Sequence, residues 1–177
     1  MLFDFFYLVS ELKKVPRKGW KNKVGIEHPE SVADHSYGAA IMAMVLSDSN
    51  KFNTEKILKM ALLHDLAESI TGDLTPDEIT KEDKRILESD SIKEIFSKLP
   101  ENLAKGYEIL WNEYQQADSQ EAILLHEIDK LEMAIQAAKY SSEGFPNEKL
   151  ALFVESARKE IKSRELLEIL DNIISYK

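Results

Sequence analysis

Apolar residues recur every three or four positions along most of this chain, the spacing of helices that bury one face. "MLFDFFYLVSELKK" reads as an amphipathic helix from about Leu2 to Lys14, stopped before Pro16. The basic, glycine-containing stretch "PRKGWKNKVGIEHPE" then reads as an irregular loop. Ser31 is placed to cap "VADHSYGAAIMAMVLSD", and Asn53 or Thr54 to cap "EKILKMALLHDLAESI". Gly72 stands where a helix end favours a left-handed residue, and Thr75 before Pro76 restarts the chain with a cap and a first-turn proline. Further helices are expected over about 80–98, 102–117, 119–141 and 148–176, the last in one or two pieces. Alternating runs of β-branched residues are missing, as are repeats, low-complexity tracts and linkers. The expectation is an all-α fold, a compact helical bundle forming one domain over residues 1–177.

Composition narrows the function more than the fold. The 177 residues, 44% hydrophobic, suffice for a sizeable core. A net charge of -9 works against a broad basic face for nucleic-acid polymers, yet leaves room for a small phosphorylated ligand held by one or two placed cations. Cysteine is absent, which excludes disulfides and thiolate metal sites and makes the cytoplasm the simplest compartment. Asp4 and Glu11 within the apolar N-terminal stretch, without an early basic region, argue against a signal peptide. Nothing approaches the roughly 20 apolar residues of a membrane span.

The stretch "LLHDLAES" breaks the pattern. On one helix, Ile57, Ala61, His64 and Glu68 share a stripe with Asp65 at its edge, so proton-active groups fall on a face built for the core. Burying carboxylates and an imidazole there costs several kcal/mol, roughly, unless a metal or a partner network compensates. A single His-Asp pair is weak evidence, since a lone helical histidine is more often a satisfied structural residue. His35 lies 29 residues earlier among small residues that let helices approach, and Asp129 interrupts the apolar stripe of "LLHEIDKLEMAIQAA". Three helices can thus bring two imidazoles and two carboxylates to one point. Such a set suits Mn, Co, Fe, Ni or Zn better than Mg or Ca.

His35, the pair His64-Asp65 and the distant Asp129 match the H…HD…D signature, and here the sequence resembles the HD-domain metal-dependent phosphohydrolases. Within them it is most similar to the 5′-deoxynucleotidase subgroup, through "VPRKGW", "HPESVADHS", "ALLHDLAESITGDLTP" and "EIDKLEMAIQA", which span about two thirds of the chain. The resemblance implies that His35, His64, Asp65 and Asp129 hold one divalent transition metal ion. It implies that Glu68 acts on the attacking water and that Asp73 orients substrate. It also implies that Arg17 meets the phosphate and Trp20 the sugar, with Lys18 and Lys21 as rival phosphate contacts. His126 is the one histidine between the HD pair and Asp129, which favours a single metal over two, and His28 reads as a loop donor. A homodimer is a further implication, in keeping with apolar Phe3, Phe5, Phe6, Tyr7 and Trp111 beyond what a small bundle obviously needs.

The leading expectation is therefore a metal-dependent phosphomonoesterase that removes the 5′-phosphate of deoxyribonucleoside monophosphates. One alternative is an HD-type phosphohydrolase acting on another nucleotide or a triphosphate. Another is a non-catalytic nucleotide-sensing module with a structural metal. Intact Glu68 and Asp73 speak against the last, because a site that only holds metal has no use for water-handling carboxylates.

Overall fold

The computed structural model describes residues 1–175, and these are helical almost throughout. Helix α1 covers Leu2–Glu11 and continues as a 3₁₀ turn to Lys14. Then follow α2 (Val32–Asn50), α3 (Thr54–Leu63), the single turn α4 (Glu68–Thr71), α5 (Lys81–Phe96), α6 (Glu101–Gln116), α7 (Gln120–Ser142), α8 (Asn147–Glu160) and α9 (Arg164–Ser175). The expected end of the last helix at 176 lies outside the described residues. No helix among them is long and apolar enough to cross a membrane.

The helix starts follow local chemistry. Ser31 Oγ accepts from the Asp34 amide while the Asp34 carboxylate accepts from the Ser31 amide, so α2 begins on a reciprocal cap. Asn53 Oδ1 accepts from the amide of Lys56 at the start of α3. Thr75 and Pro76 do not start a helix, contrary to the sequence expectation. The Thr75 amide and hydroxyl both donate to Glu78 Oε2, closing one turn, and α5 starts later, on Thr80.

The long helix α7 is the axis of the bundle. It packs on α2, α3, α6, α8 and α9, and its Leu125, Ile128, Leu131 and Ala134 meet Ala39, Ala43, Ile57, Met60 and Ala61 in the main core. Alanines along α2 keep the α2–α7 separation small, which places polar groups on the two helices within reach of each other. A second core gathers Phe5, Leu12, Val32, Leu66, Ile95 and Trp111 beneath α1. Phe5 and Trp111 are thus absorbed by the fold, while Phe3, Phe6 and Tyr7 remain exposed.

The segment between α1 and α2 is more ordered than its composition suggests. The Arg17 amide donates to Glu30 O and the Val32 amide to Val15 O, tying the two ends of the loop beside the Pro16–Ser31 bridge. Between them Trp20–Val24 form a π-helical turn that ends on Gly25 at φ 92°, a left-handed conformation suited to glycine. Trp20, Val24 and Ile26 close a third core with Ala137, Tyr140 and Leu150.

Candidate active site

His35 sits one turn into α2 with no exposed surface. Its Nδ1 lies 2.5 Å from Glu132 Oε2 on α7. A carboxylate can only accept, so Nδ1 carries the proton and Nε2 points the other way. His64 is set by a similar device. Its Nδ1 lies 2.7 Å from the Ala61 carbonyl, leaving its Nε2 free to face His35. The sequence predicts one unbroken helix here, but α3 ends at Leu63. Through residues 64–67 the backbone bonds shorten to i→i−3, from Leu66 N to Leu63 O and from Glu68 N to Asp65 O. The Ala61 carbonyl, which a continuous α-helix gives to the Asp65 amide, here accepts from the His64 ring.

The two Nε2 atoms are 3.4 Å apart, and Asp129 Oδ1 lies 3.1 Å from that of His35. Ligand atoms of His35, His64 and Asp129 all fall within 4.8 Å of one another. Asp65 Oδ2 stands at their edge, 3.2 Å from His64 Nε2 and 3.7 Å from His35 Nε2, and is shared with the Arg17 guanidinium at 3.7 Å. Two imidazoles whose other nitrogens are already committed cannot satisfy each other with neutral rings. A cation between them can, and this donor set fits a borderline divalent metal held by His35, His64 and Asp129 with Asp65 alongside.

The electrostatics agree with that fit. Burial and Arg17 oppose a charge on His35, yet Asp129 and Glu132 outweigh them and push its pKa up to about 10. For Asp129, burial is outweighed by Lys130, His35 and Arg17, which hold its carboxyl well below the usual range. Glu68 behaves oppositely. Burial first, then Asp65 and Asp73, raise its pKa well above the ordinary value, against Lys84 and Arg17. Its Oε1 is 3.5 Å from Lys84 Nζ, and its Oε2 is buried without a hydrogen-bond partner. An unpaired buried carboxylate oxygen is costly, and beside this cluster it suits a group that receives a ligand.

Next to the cluster opens a cavity of about 410 Å³. Arg17, Asp73, Lys84 and Lys130 line it where it meets the ligand residues; Lys130 Nζ is 3.0 Å from Asp129 Oδ2. Asp73 reaches this wall because Gly72 adopts φ 71° and ψ 170°, a region open essentially to glycine alone, and turns the chain out of α4. Its Oδ2 accepts from the Lys18 amide at 2.6 Å. Lys18 offers only its backbone here. Its ammonium pairs with Glu78 Oε1 at 3.0 Å and is not on the cavity wall, unlike the phosphate contact expected from the sequence.

Residues 9–169 match the family model of the HD domain. The chain belongs to the HD-domain family. It is 38% identical over 173 residues to human 5′-deoxynucleotidase HDDC2, covering 97% of this chain and 84% of that one. The Dictyostelium discoideum 5′-deoxynucleotidase HDDC2 is 42% identical over 166 residues, covering 88% and 87%. A crystal structure of a Pyrococcus horikoshii protein superposes with a TM-score of 0.82 at 36% identity, over 99% of each chain.

In this HD domain Trp20 borders the cavity but is only 1% exposed. Its Nε1 donates to Glu30 Oε1 at 2.8 Å, and its ring lies 4.2 Å from that of Phe153, inclined by 31°. His126 stacks on Tyr114 and bonds the Tyr114 carbonyl, so that the Tyr114 ring, which meets that of His64 edge-on, stands between His126 and the cluster. Four neighbours of the site escape the sequence reading: Glu132, Lys84, Lys130 and Phe153. Glu132 alone leaves a trace there, as a carboxylate in the apolar stripe of α7 three residues after Asp129. The others are ordinary solvent-type lysines and an ordinary core-type aromatic until the fold gathers them.

Proposed function

We propose that this HD domain, acting as one unit over residues 1–177, is a 5′-deoxynucleotidase that converts deoxyribonucleoside monophosphates and water to deoxynucleosides and phosphate. The observation that carries the reading is the meeting of His35, His64 and Asp129, with Asp65 and Glu68 beside them, next to a cavity whose Arg17, Lys84 and Lys130 pair with these carboxylates. The similarity to proteins named 5′-deoxynucleotidase supports the choice of substrate.

In this reading His35, His64, Asp65 and Asp129 hold one ion of Mn, Co, Fe, Ni or Zn. When bound, the metal supplies Lewis acidity, lowering the pKa of water and polarising the phosphoryl oxygens. Glu132 holds the His35 ring in the tautomer that presents Nε2. Glu68 orients the attacking water and takes its proton, a role suited to a buried carboxylate with a raised pKa and a free oxygen. Arg17, kept charged by Asp65, Asp129 and Asp73 against its burial, receives the phosphate. Asp73 orients the sugar from the cavity wall. Water displaces the 5′-oxygen at phosphorus in line, without a covalent enzyme intermediate, and the proton that Glu68 takes from the water goes to the departing 5′-oxygen.

Purified protein assayed against all deoxy- and ribonucleoside monophosphates, in several divalent metals and in EDTA, tests this. Metal-dependent release of phosphate from the deoxynucleotides is expected, ahead of the ribonucleotides. Release only from triphosphates, or none under any metal, overturns it. Residence in the cytoplasm, drawn from the absence of cysteine, and assembly as a homodimer, drawn from the resemblance, belong to the same proposal.

A further inference from the structure

The cavity is chemically two-ended. Its cationic wall abuts the cluster, since Arg17 pairs with Asp65, Lys84 with Glu68 and Lys130 with Asp129. Met133 follows Asp129 by four residues on α7, about 6 Å along the axis, and with Leu152 and Phe153 of α8 it forms the apolar part of a lining that also takes in Lys23, Ser156 and Glu160. Phe153 is half-buried. Trp20 packs against its ring, the two centroids 4.2 Å apart, and holds it at the cavity edge. A phosphomonoester seated with its phosphate on the cationic wall directs the rest of the molecule toward this aromatic surface.

We propose that Phe153 is the platform on which the substrate's nucleobase stacks, making it a specificity-determining residue that separates nucleotides from phosphate esters lacking a base. The inference rests on the nucleotidase reading and deepens it. The nearly buried Trp20 acts from behind, setting the tilt of the platform. Stacking uses the π-face that every base has, so the platform serves all four deoxynucleotides.

The test compares Phe153→Leu, which keeps the bulk and loses the ring, with Phe153→Tyr, which keeps the ring. For Phe153→Leu, KM for each deoxynucleoside monophosphate is expected to rise roughly tenfold to a hundredfold, the range for losing one base–aromatic stack. kcat should change little, and competitive inhibition by inorganic phosphate, which has no base, should not change. Phe153→Tyr should restore the KM. An unchanged KM in Phe153→Leu overturns the proposal. So does a parallel weakening of phosphate inhibition, which would make Phe153 a prop for Trp20 and Arg17. Failure of the unaltered protein to hydrolyse deoxynucleotides overturns the nucleotidase reading itself and the platform with it, and is seen before any variant is made.

Discussion

Gly38 on α2 stands so close to Glu132 on α7 that a Cβ at position 38 would lie 2.9 Å from Oε1 and 3.2 Å from Cγ. Glycine is poor in a helix interior, costing about 0.5–1 kcal/mol against alanine. Here it leaves the space through which Glu132 reaches His35.

Gly38→Ala is therefore expected to weaken metal binding while keeping the fold. The added methyl displaces the Glu132 carboxylate, His35 loses its anchor, and affinity falls by roughly 10- to 100-fold, the usual scale for loss of such a supporting partner. Glu132→Ala should give a similar loss. In the double variant the two effects should not add, because the methyl then fills space the carboxylate has vacated. Metal titrations on the three variants check this, and additive losses would show that the two residues act separately.

Metal removal comes next. Exhaustive dialysis against EDTA should abolish hydrolysis, and Mn or Co should restore it better than Ca, because two imidazole nitrogens poorly serve an ion that seeks hard oxygens. Initial rates with each added metal decide the matter. Full turnover after stripping would remove the metal from the reading altogether.

How much of this was legible beforehand depended on the range of the interaction. Caps on Ser31 and Asn53, the stop before Pro16 and the apolar periodicity are local, and the helices follow them closely. The H…HD…D spacing made His35, His64, Asp65 and Asp129 candidates because a polar group on an apolar face is conspicuous in one dimension. The break after Leu63 was hidden. It arises when a side chain, His64, engages a backbone carbonyl, and helix periodicity carries no sign of that. Lys18 shows a related limit: composition reveals a cation in a basic loop, but not that Glu78, 60 residues away, pairs with it.

Glu68 should separate from the ligand residues in its effect. Glu68→Gln is expected to retain metal but lose about 10²- to 10⁴-fold in turnover, since it removes a proton acceptor without touching the two Nε2 atoms. His64→Ala should lose the metal itself. Elemental analysis beside kcat for each variant distinguishes them. Equal metal loss in both would make Glu68 a ligand.

Trp20 carries the sharpest prediction about sugar selectivity. The Trp20 amide bonds the Arg17 carbonyl at 3.2 Å, so the indole and the proposed phosphate contact are fixed within one turn despite the two residues between them. Where the indole borders the cavity it offers a deoxyribose an apolar margin and a 2′-hydroxyl no partner. That penalty is on the order of 1–3 kcal/mol, roughly tenfold to a hundredfold in rate. Trp20→Ala should thus raise ribonucleotide turnover relative to deoxynucleotide with metal content unchanged. Arg17→Ala should instead weaken both substrates alike, since the phosphate is common to them. At 1% exposure the indole is also a core side chain, so Trp20→Ala should cost about 3–5 kcal/mol of stability as well. The ratio must be measured at a temperature where denaturation curves show the variant folded. Lower stability with an unchanged deoxy-to-ribo ratio would assign Trp20 to packing alone and leave discrimination to other residues on the cavity wall.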